Sequence, residues 1–364
     1  MGPRVHDDLL LVGSLPADTT DEALRGGGEL LGDVVFALPD GETGERQAWV
    51  AFEAARLFAP HPDVELVQEQ QGRHNLWDAA AFRLRPGVEE LTYQRLPRTD
   101  VAIESYGRFR ELKQAGAIPQ RVRFQLCLPF PASAFGWFFR GRESLVRPIL
   151  DPPADFEREY PIHERAYEAA WSRELARLLE AIPADELAIQ WDICFEVLDL
   201  ERLFPYTSAE TAWERFAGPV RRMSRDIPAE TLVGYHLCYG TFPEWPMREA
   251  QDMGLLVEMA NACIETSGRA ADWVHLAGPR HLRSHDDDFF RPLQRLRAPA
   301  TKVFLGLIHP IDGEDGLLMR TATARRYLDD FGVALFCGFG RNPGEDPRDA
   351  LRAHRAAYER FRAS

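Results

Sequence analysis

The sequence predicts an α/β protein, a single-domain (β/α)8 TIM barrel with an insertion in its first third. Short apolar segments typical of buried strands alternate with amphipathic helical segments along the whole chain. There are about eight such strands, the number that closes a parallel sheet into a barrel of this kind. Polar and metal-binding residue types follow several of these strands, at the face where such barrels carry their active sites.

The predicted strands are short and end at turn residues or at a polar residue. In chain order they cover residues 9–12, 33–38, 121–128, 187–192, 232–239, 272–277, 302–309 and 333–337. A helix start is predicted at 19–22, and helices at 160–182, 211–223, 247–264, 288–296, 319–331 and 346–361. Residues 50–120 contain helical segments with an irregular middle, which we interpret as an elaboration within one 1–364 barrel domain.

Composition excludes several classes of protein. The chain has 364 residues, 45% of them apolar and 27% charged, as in a soluble globular protein. The net charge of −14 argues against a nucleic-acid partner, and no apolar run approaches the roughly 18 residues of a membrane span. Five cysteines, an odd and sparse count, argue against a disulfide framework and for a reducing, cytoplasmic location.

Potential site residues lie where the predicted strands end. They are Ser14, Asp40, Glu42, Asp192, His236, Cys238, His309 and Cys337. Each has a simpler explanation: Ser14 caps a helix, Arg46 is the counter-ion of the loop acids, Asp192 pairs with a buried arginine, or His309 bonds a loop. Cys127, Cys194 and Cys263 are interpreted as core thiols. The collection of these types at one barrel face favours an active site.

His236-Leu-Cys238 is the central motif. Side chains alternate along a strand, so the imidazole and the thiol point to the same side. Together they form half of a tetrahedral zinc site, although a core histidine beside a buried cysteine would give the same motif.

Six short motifs, in order over nearly the whole chain, resemble the catalytic barrel of cobalamin-independent methionine synthase and its single-barrel relatives. Val12-Gly-Ser-Leu-Pro16 is similar to that family's I-G-S-F-P, Asp40-Gly-Glu42 with Arg46 to its H-G-E loop, and Gln190-Trp-Asp192 to its Q-x-D-E-P. His236-Leu-Cys-Tyr239 matches H-x-C-Y, Ile308-His-Pro310 resembles I-H-S-P, and Cys337-Gly-Phe-Gly-Arg341 resembles C-G-L-K-T-R.

The resemblance implies a zinc ion held by His236, Cys238 and Cys337. It also implies that Glu42 and Asp192 anchor the substrate, that His309 is an acid or base, and that Ser14, Asp40 and Arg46 contribute to substrate binding. Zinc turns a thiol, whose ordinary pKa is about 8.5, into a thiolate at neutral pH, and the thiolate then attacks an electrophilic carbon. The partners expected are a small-molecule thiol and an alkyl donor.

The family's fourth zinc ligand is a glutamate, and the sequence leaves its counterpart open. Glu265 lies in a matching Ile-Glu-Thr-Ser string, but that string falls in a predicted helix. By barrel position the glutamate corresponds to Ala277, and His275, two residues earlier on the same side, is a possible substitute. Residues 286–288, all aspartates, are further candidates, and an open position occupied by water is another alternative.

The sequence therefore predicts a zinc-dependent methyl- or alkyltransferase that activates a substrate thiol. One alternative is a metal-free lyase or decarboxylase on a barrel like that of uroporphyrinogen decarboxylase, in which Asp192, Glu42 and Arg46 act. Another is a non-catalytic small-molecule binder that has kept the barrel. The donor, the acceptor and any homo-oligomer are not determined by these residues.

Overall fold

Eight parallel strands form one sheet that curls into a nearly closed barrel. The computed structural model describes residues 2–70, 80–139, 154–203, 208–241, 247–279, 286–340 and 345–364. Around the barrel the strand order is β1, β10, β9, β8, β7, β6, β5 and β2, and every pairing is parallel. The predicted (β/α)8 barrel is confirmed.

The strands have the following bounds: β1 Leu9–Leu10, β2 Ala37–Pro39, β3 Val64–Gln68, β4 Ala81–Leu84, β5 Arg123–Pro129, β6 Leu187–Ile193, β7 Leu232–Leu237, β8 Trp273–Ala277, β9 Lys302–Ile308 and β10 Gly332–Leu335. The helices are α1 Thr20–Leu31, α2 Ala51–Glu53, α3 Pro97–Gln114, α4 Pro131–Phe135, α5 Ala154–Ala181, α6 Phe195–Leu200, α7 Ala209–Met223, α8 Gly254–Thr266, α9 Asp287–Phe290, α10 Gly313–Ala324 and α11 Pro347–Ala363. In the described part of the chain, no helix is long and apolar enough to cross a bilayer.

The barrel seam lies between β1 and β2. No ladder joins these two strands in the described residues, but Leu15 N–H donates to the Gly41 carbonyl at 2.9 Å just beyond their ends. Two glutamine side chains inside the barrel donate hydrogen bonds to the backbone carbonyls that follow the short β1. Gln125 donates to the Leu11 carbonyl at 2.9 Å and Gln190 to the Val12 carbonyl at 2.6 Å. Buried carbonyls that lack a strand partner are thus satisfied from within.

The lower barrel interior is filled by an apolar cluster to which seven of the eight barrel strands contribute. Its strand members are Leu10, Ala37, Ala188, Leu232, Trp273, Phe304 and Ala334. Gly234 makes room for the largest of them, since a Cβ there would lie 2.0 Å from the Trp273 ring. Because interior positions alternate along a strand, Leu232 and Gly234 place His236 and Cys238 inside the barrel, above this layer.

The region between β2 and β5 contains more structure than the sequence indicated. After a 3-10 turn at Gly44–Ala48 and a π-helical turn at Ala54–Phe58, β3 and β4 pair as an antiparallel hairpin. Residues 71–79, between the two strands, lie outside the described ranges. Helix α3 follows, packs against α1 and α5, and returns the chain to the barrel at β5. The treatment of 50–120 as an elaboration within one domain stays a prediction.

Several predicted helix boundaries are wrong. The helix predicted at 247–264 is α8, which begins at Gly254 and ends at Thr266. The helix predicted at 319–331 is α10, which begins at Gly313 and ends at Ala324. Gly313 and Gly316 weaken the helical signal, whereas an ion pair at 2.5 Å between Asp312, the N-cap residue, and Arg320 of the same helix stabilises this start. The helix predicted at 288–296 is the short α9 followed by a 3-10 turn at Arg291–Arg295, which contains Pro292.

Candidate metal centre and active site

Three potential metal ligands converge at the barrel mouth. His236 is the second-last residue of β7 and points to the barrel interior, Cys238 follows two residues later, and Cys337 lies just beyond β10. All three are buried, and their ligand atoms lie within 4.8 Å of one another. The Cys337 Sγ is 3.6 Å from His236 Nε2 and 4.0 Å from Cys238 Sγ. The chain segments that meet here are about a hundred residues apart in sequence.

These separations fit a tetrahedral zinc ion. With Zn–S bonds of about 2.3 Å and Zn–N bonds of about 2.0–2.1 Å, tetrahedral angles place two sulfurs about 3.8 Å apart and sulfur and nitrogen about 3.6 Å apart. The measured distances of 4.0 and 3.6 Å match this arrangement. Two thiols and an imidazole are also the soft donor set that zinc prefers over calcium or magnesium.

The two thiols hold their protons when no cation is bound. The hydrogen bond with Cys238, together with burial, raises the pKa of Cys337 well above its ordinary value. The hydrogen bond with Cys194 is the first cause that raises the pKa of Cys238, and burial adds to it. Two buried thiols without a cation therefore stay protonated, and metal binding must release their protons.

Cys194 lies beside this group and was interpreted from sequence as a core thiol. Ile193 and Leu237 are register partners on β6 and β7, so Cys194 and Cys238 follow at matched positions. The Cys238 N–H donates to the Ile193 carbonyl at 3.1 Å, which keeps the two strand ends together. The metal group itself consists of His236, Cys238 and Cys337 in the described residues.

The structure shows where each alternative for a fourth protein ligand lies. Glu265 lies on α8, where it is exposed and pairs with Arg297 at 2.5 Å, so the helical interpretation of its motif is confirmed. Asp287 and Asp288 form surface ion pairs with Arg326 and Arg291. Ala277 ends β8 and offers no donor atom.

His275 is the candidate that lies in the barrel interior. It sits on β8 directly opposite His236 in the strand register, and the two Nδ1 atoms are 2.5 Å apart. Burial first, and then His236, lower the pKa of His275 well below its ordinary value, so this imidazole is neutral. His275 therefore contacts a metal ligand instead of lying beside the three ligand atoms.

The loop that carries Cys337 is attached to the first strand. Ser14 accepts a hydrogen bond from Gly340 N–H through its hydroxyl, at 3.1 Å, and from Phe339 N–H through its carbonyl, at 2.8 Å. A Cβ on Gly338 would lie 2.4 Å from the Ser14 hydroxyl, so the contact requires glycine. Ser14 thus positions the cysteine loop. Arg341, the last residue of that motif, lies outside the described residues.

His309 follows β9 and is buried close to the cysteine loop. Its ring lies parallel to that of Phe336, with centroids 5.1 Å apart and planes at 14°. Phe336 directly precedes Cys337, so the stack places the imidazole beside the loop that carries this ligand.

Asp40 and Arg46, two predicted substrate-binding residues, contact each other. One Arg46 guanidinium nitrogen lies 2.7 and 2.8 Å from the two Asp40 oxygens. Asp40 also accepts from the Ser105 hydroxyl at 2.7 Å and from the Glu42 N–H at 3.0 Å. These bonds stabilise the loop at Glu42, whose φ of +48° is in the left-handed region that non-glycine residues seldom adopt.

Arg98 is a site residue that the sequence analysis missed. It comes from the first turn of α3 and is buried between two carboxylates, at 2.7 Å from Glu42 and 2.8 Å from Glu53. Its remaining Nη donates to the Trp49 carbonyl at 3.1 Å. A buried arginine looks like any surface arginine in a sequence, and only Pro97 before it, which marks the helix start, was visible.

Asp192 lies between the carboxylates and the metal ligands. It is the second-last residue of β6 and the register partner of His236 on β7. Burial first, and then the nearby charge of Glu42, raise the pKa of Asp192 well above its ordinary value, although a hydrogen bond from Gln190, at 2.9 Å, opposes the shift. The carboxyl group of Asp192 therefore holds a proton more readily than an exposed aspartate does, and a nearby cation would favour its ionised form.

Solved structures with a similar fold include the following two proteins. A B12-independent methionine synthase from Shewanella sp. W3-18-1, in complex with selenomethionine, has a TM-score of 0.60 and 16% identity, over 99% of this chain and 98% of that chain. A methyltransferase from Methanosarcina mazei has a TM-score of 0.52 and 12% identity, over 98% and 95%. No protein-family model and no curated protein sequence matches the chain. At these identities the similarity establishes the barrel fold alone.

Proposed function

We propose that this protein is a zinc-dependent methyl- or alkyltransferase that activates a substrate thiol. The observation that carries the proposal is the buried group of His236, Cys238 and Cys337, whose ligand atoms lie within 4.8 Å of one another at the barrel mouth. When bound there, zinc would lower the pKa of a substrate thiol so that the thiolate is present at neutral pH. The two cysteines, once deprotonated, balance the divalent charge of the ion.

The other side of the mouth supplies substrate anchors in this proposal. Glu42 is held by Arg98 at 2.7 Å, while a cationic group near Asp192 would favour the ionised form of its carboxyl group. Both carboxyl groups therefore favour an amino-bearing substrate. Asp40 and Arg46 maintain the loop that presents Glu42, and Ser14 maintains the loop that carries Cys337.

In this proposal, His309 accepts the proton that the substrate thiol loses. It is buried next to the cysteine loop, and imidazole is the side chain whose ordinary pKa allows proton exchange near neutral pH. The fold comparison supports the same chemistry, because a protein named a B12-independent methionine synthase is covered by this chain over 98% of its length. A single barrel of this size is thus compatible with that class of reaction.

The metal-free lyase is the less well supported alternative. A decarboxylase or lyase that acts on an acidic substrate needs cationic side chains that are available to bind carboxylates. Arg46 and Arg98, the buried arginines next to Glu42 and Asp40, already donate to carboxylates of the protein. The negative balance of this region favours a cationic substrate group instead.

The proposal is tested by zinc analysis and a thiol-dependent transfer assay on the purified protein. We expect about one equivalent of zinc and consumption of a small thiol in the presence of an alkyl donor, with both lost in Cys238→Ser. Cys263→Ser, which changes a thiol on α8, is the matched control and should behave like the wild type. Less than about half an equivalent of zinc in the wild type would refute the proposal.

A further inference from the structure

The contact between His236 and His275 has the geometry of an in-plane hydrogen bond. Their Nδ1 atoms are 2.5 Å apart, whereas the ring centroids are 4.7 Å apart and the ring planes differ by 17°. The centroid separation exceeds the nitrogen separation by about two ring radii. Both nitrogens therefore lie near the line between the ring centres, and the imidazoles meet edge to edge in almost one plane.

An edge-to-edge contact of two ring nitrogens requires one proton between them. In a neutral imidazole one nitrogen is a donor and the other an acceptor. His236 directs Nε2 toward Cys337, at 3.6 Å, so a metal bound there takes the Nε2 lone pair and the His236 proton resides on Nδ1. That N–H can only donate to His275 Nδ1, which must then be unprotonated.

We propose that His275 is a positioning residue that accepts the Nδ1 proton of His236 and thereby aims the Nε2 lone pair at the metal. The inference rests on the proposed zinc site and deepens it. Metal-bound histidines usually donate their second N–H to a carboxylate, a backbone carbonyl or water. Here the acceptor is a second imidazole, which lies opposite His236 because β7 and β8 pair in register.

The same geometry excludes His275 as a fourth metal ligand. Its Nδ1 is engaged with His236, and its Nε2 lies on the opposite edge of the ring. His275 therefore does not replace the carboxylate missing at Ala277. Among the described residues, the side chains that would hold a metal are therefore His236, Cys238 and Cys337.

Three substitutions distinguish an acceptor at the Nδ1 position from other roles. Asparagine carries its amide oxygen where histidine carries Nδ1, glutamine reaches the Nε2 position, and leucine has no acceptor. Zinc affinity is measured by competition with a chromophoric chelator, on the full chain and at one pH. We expect His275→Leu and His275→Gln to lose about 10–100-fold in zinc affinity and His275→Asn to remain within about threefold of the wild type.

His354→Leu is the control, because His354 is also buried but lies on α11 and bonds the Ala350 carbonyl. Its zinc affinity should equal that of the wild type. Equal affinities in all three His275 variants, or an asparagine variant as weak as the leucine variant, would overturn the inference. If the leucine variant does not fold, the comparison of glutamine with asparagine is sufficient. A wild type that binds no zinc refutes the proposed function, whereas a zinc-binding wild type with unchanged variants refutes this inference alone.

Discussion

The two halves of the barrel mouth are positioned by different means. In the metal half, which comprises His236, Cys238, His275 and Cys337, the two histidines are adjacent because β7 and β8 pair in register. In the carboxylate half, which comprises Asp40, Glu42, Asp192 and Arg98, the parts come from a strand end, a strained loop and the helix α3.

This difference has an energetic consequence. The metal half is held by the barrel itself, and its three ligand side chains would act by holding a cation. The carboxylate half holds its own cation, because Arg98 is buried between Glu42 and Glu53. Losing a side chain should therefore affect metal binding in the first half and folding in the second.

The largest effect is expected on turnover from His309→Asn. Removing a group that accepts a proton from the substrate should lower the rate about 10²–10⁴-fold, while zinc content remains that of the wild type. Steady-state rates and zinc analysis on the same preparation test this. Loss of the ion would show that His309 is itself a ligand and belongs to the metal half.

Arg98→Met should destabilise the fold most. It leaves Glu42 and Glu53 buried without a counter-charge, which we expect to reduce the free energy of unfolding by about 3–5 kcal/mol. Urea unfolding of the metal-free protein measures the loss. Arg348→Met, which removes a half-exposed pair with Glu29, is the control and should cost less than about 1 kcal/mol. Similar losses in the two variants would contradict the contrast between the halves.

Cys337→Ser should show the opposite pattern. Replacing a thiolate ligand by a hydroxyl should lower zinc affinity by at least about tenfold, because the Zn–S bond is lost. The unfolding free energy of the metal-free protein should change by no more than about 1 kcal/mol, since the substitution is small. Chelator competition and urea unfolding test the two statements. Unchanged zinc affinity would remove Cys337 from the ligand set.

The smallest effect is expected from Glu265→Gln. Glu265 pairs with Arg297 on the exposed side of α8, away from the barrel interior, so zinc affinity should stay within about twofold of the wild type. The same chelator competition measures this. A tenfold loss would mean that the motif match, and not the helix, identified the fourth ligand.

Sequence reasoning succeeded where the strand period decides the outcome. The same-side placement of His236 and Cys238 follows from alternation on β7, and so does the interior placement of His275 on β8. The convergence of Cys337 with them follows from closure of the barrel.

It failed where tertiary contacts decide. Nothing local marks Arg98 as buried, and the left-handed conformation of Glu42 is fixed by Asp40, Ser105 and Arg46. The contact of Cys194 with Cys238 was missed because the predicted β6 ended at Asp192, whereas the strand continues through Ile193 and places the next residue beside Cys238. Alternation extended by two residues would have placed Cys194 on the interior side with Asp192.

The extended X-ray absorption fine structure of zinc bound to the wild-type protein gives the most direct test of the central claim. The ligand set of His236, Cys238 and Cys337 predicts two sulfur neighbours at about 2.3 Å and an imidazole nitrogen at about 2.0–2.1 Å. In Cys238→Ser supplied with excess zinc, one of the two sulfur neighbours should be absent. A zinc ion surrounded by oxygen and nitrogen alone, in a protein with the barrel intact, would contradict the account.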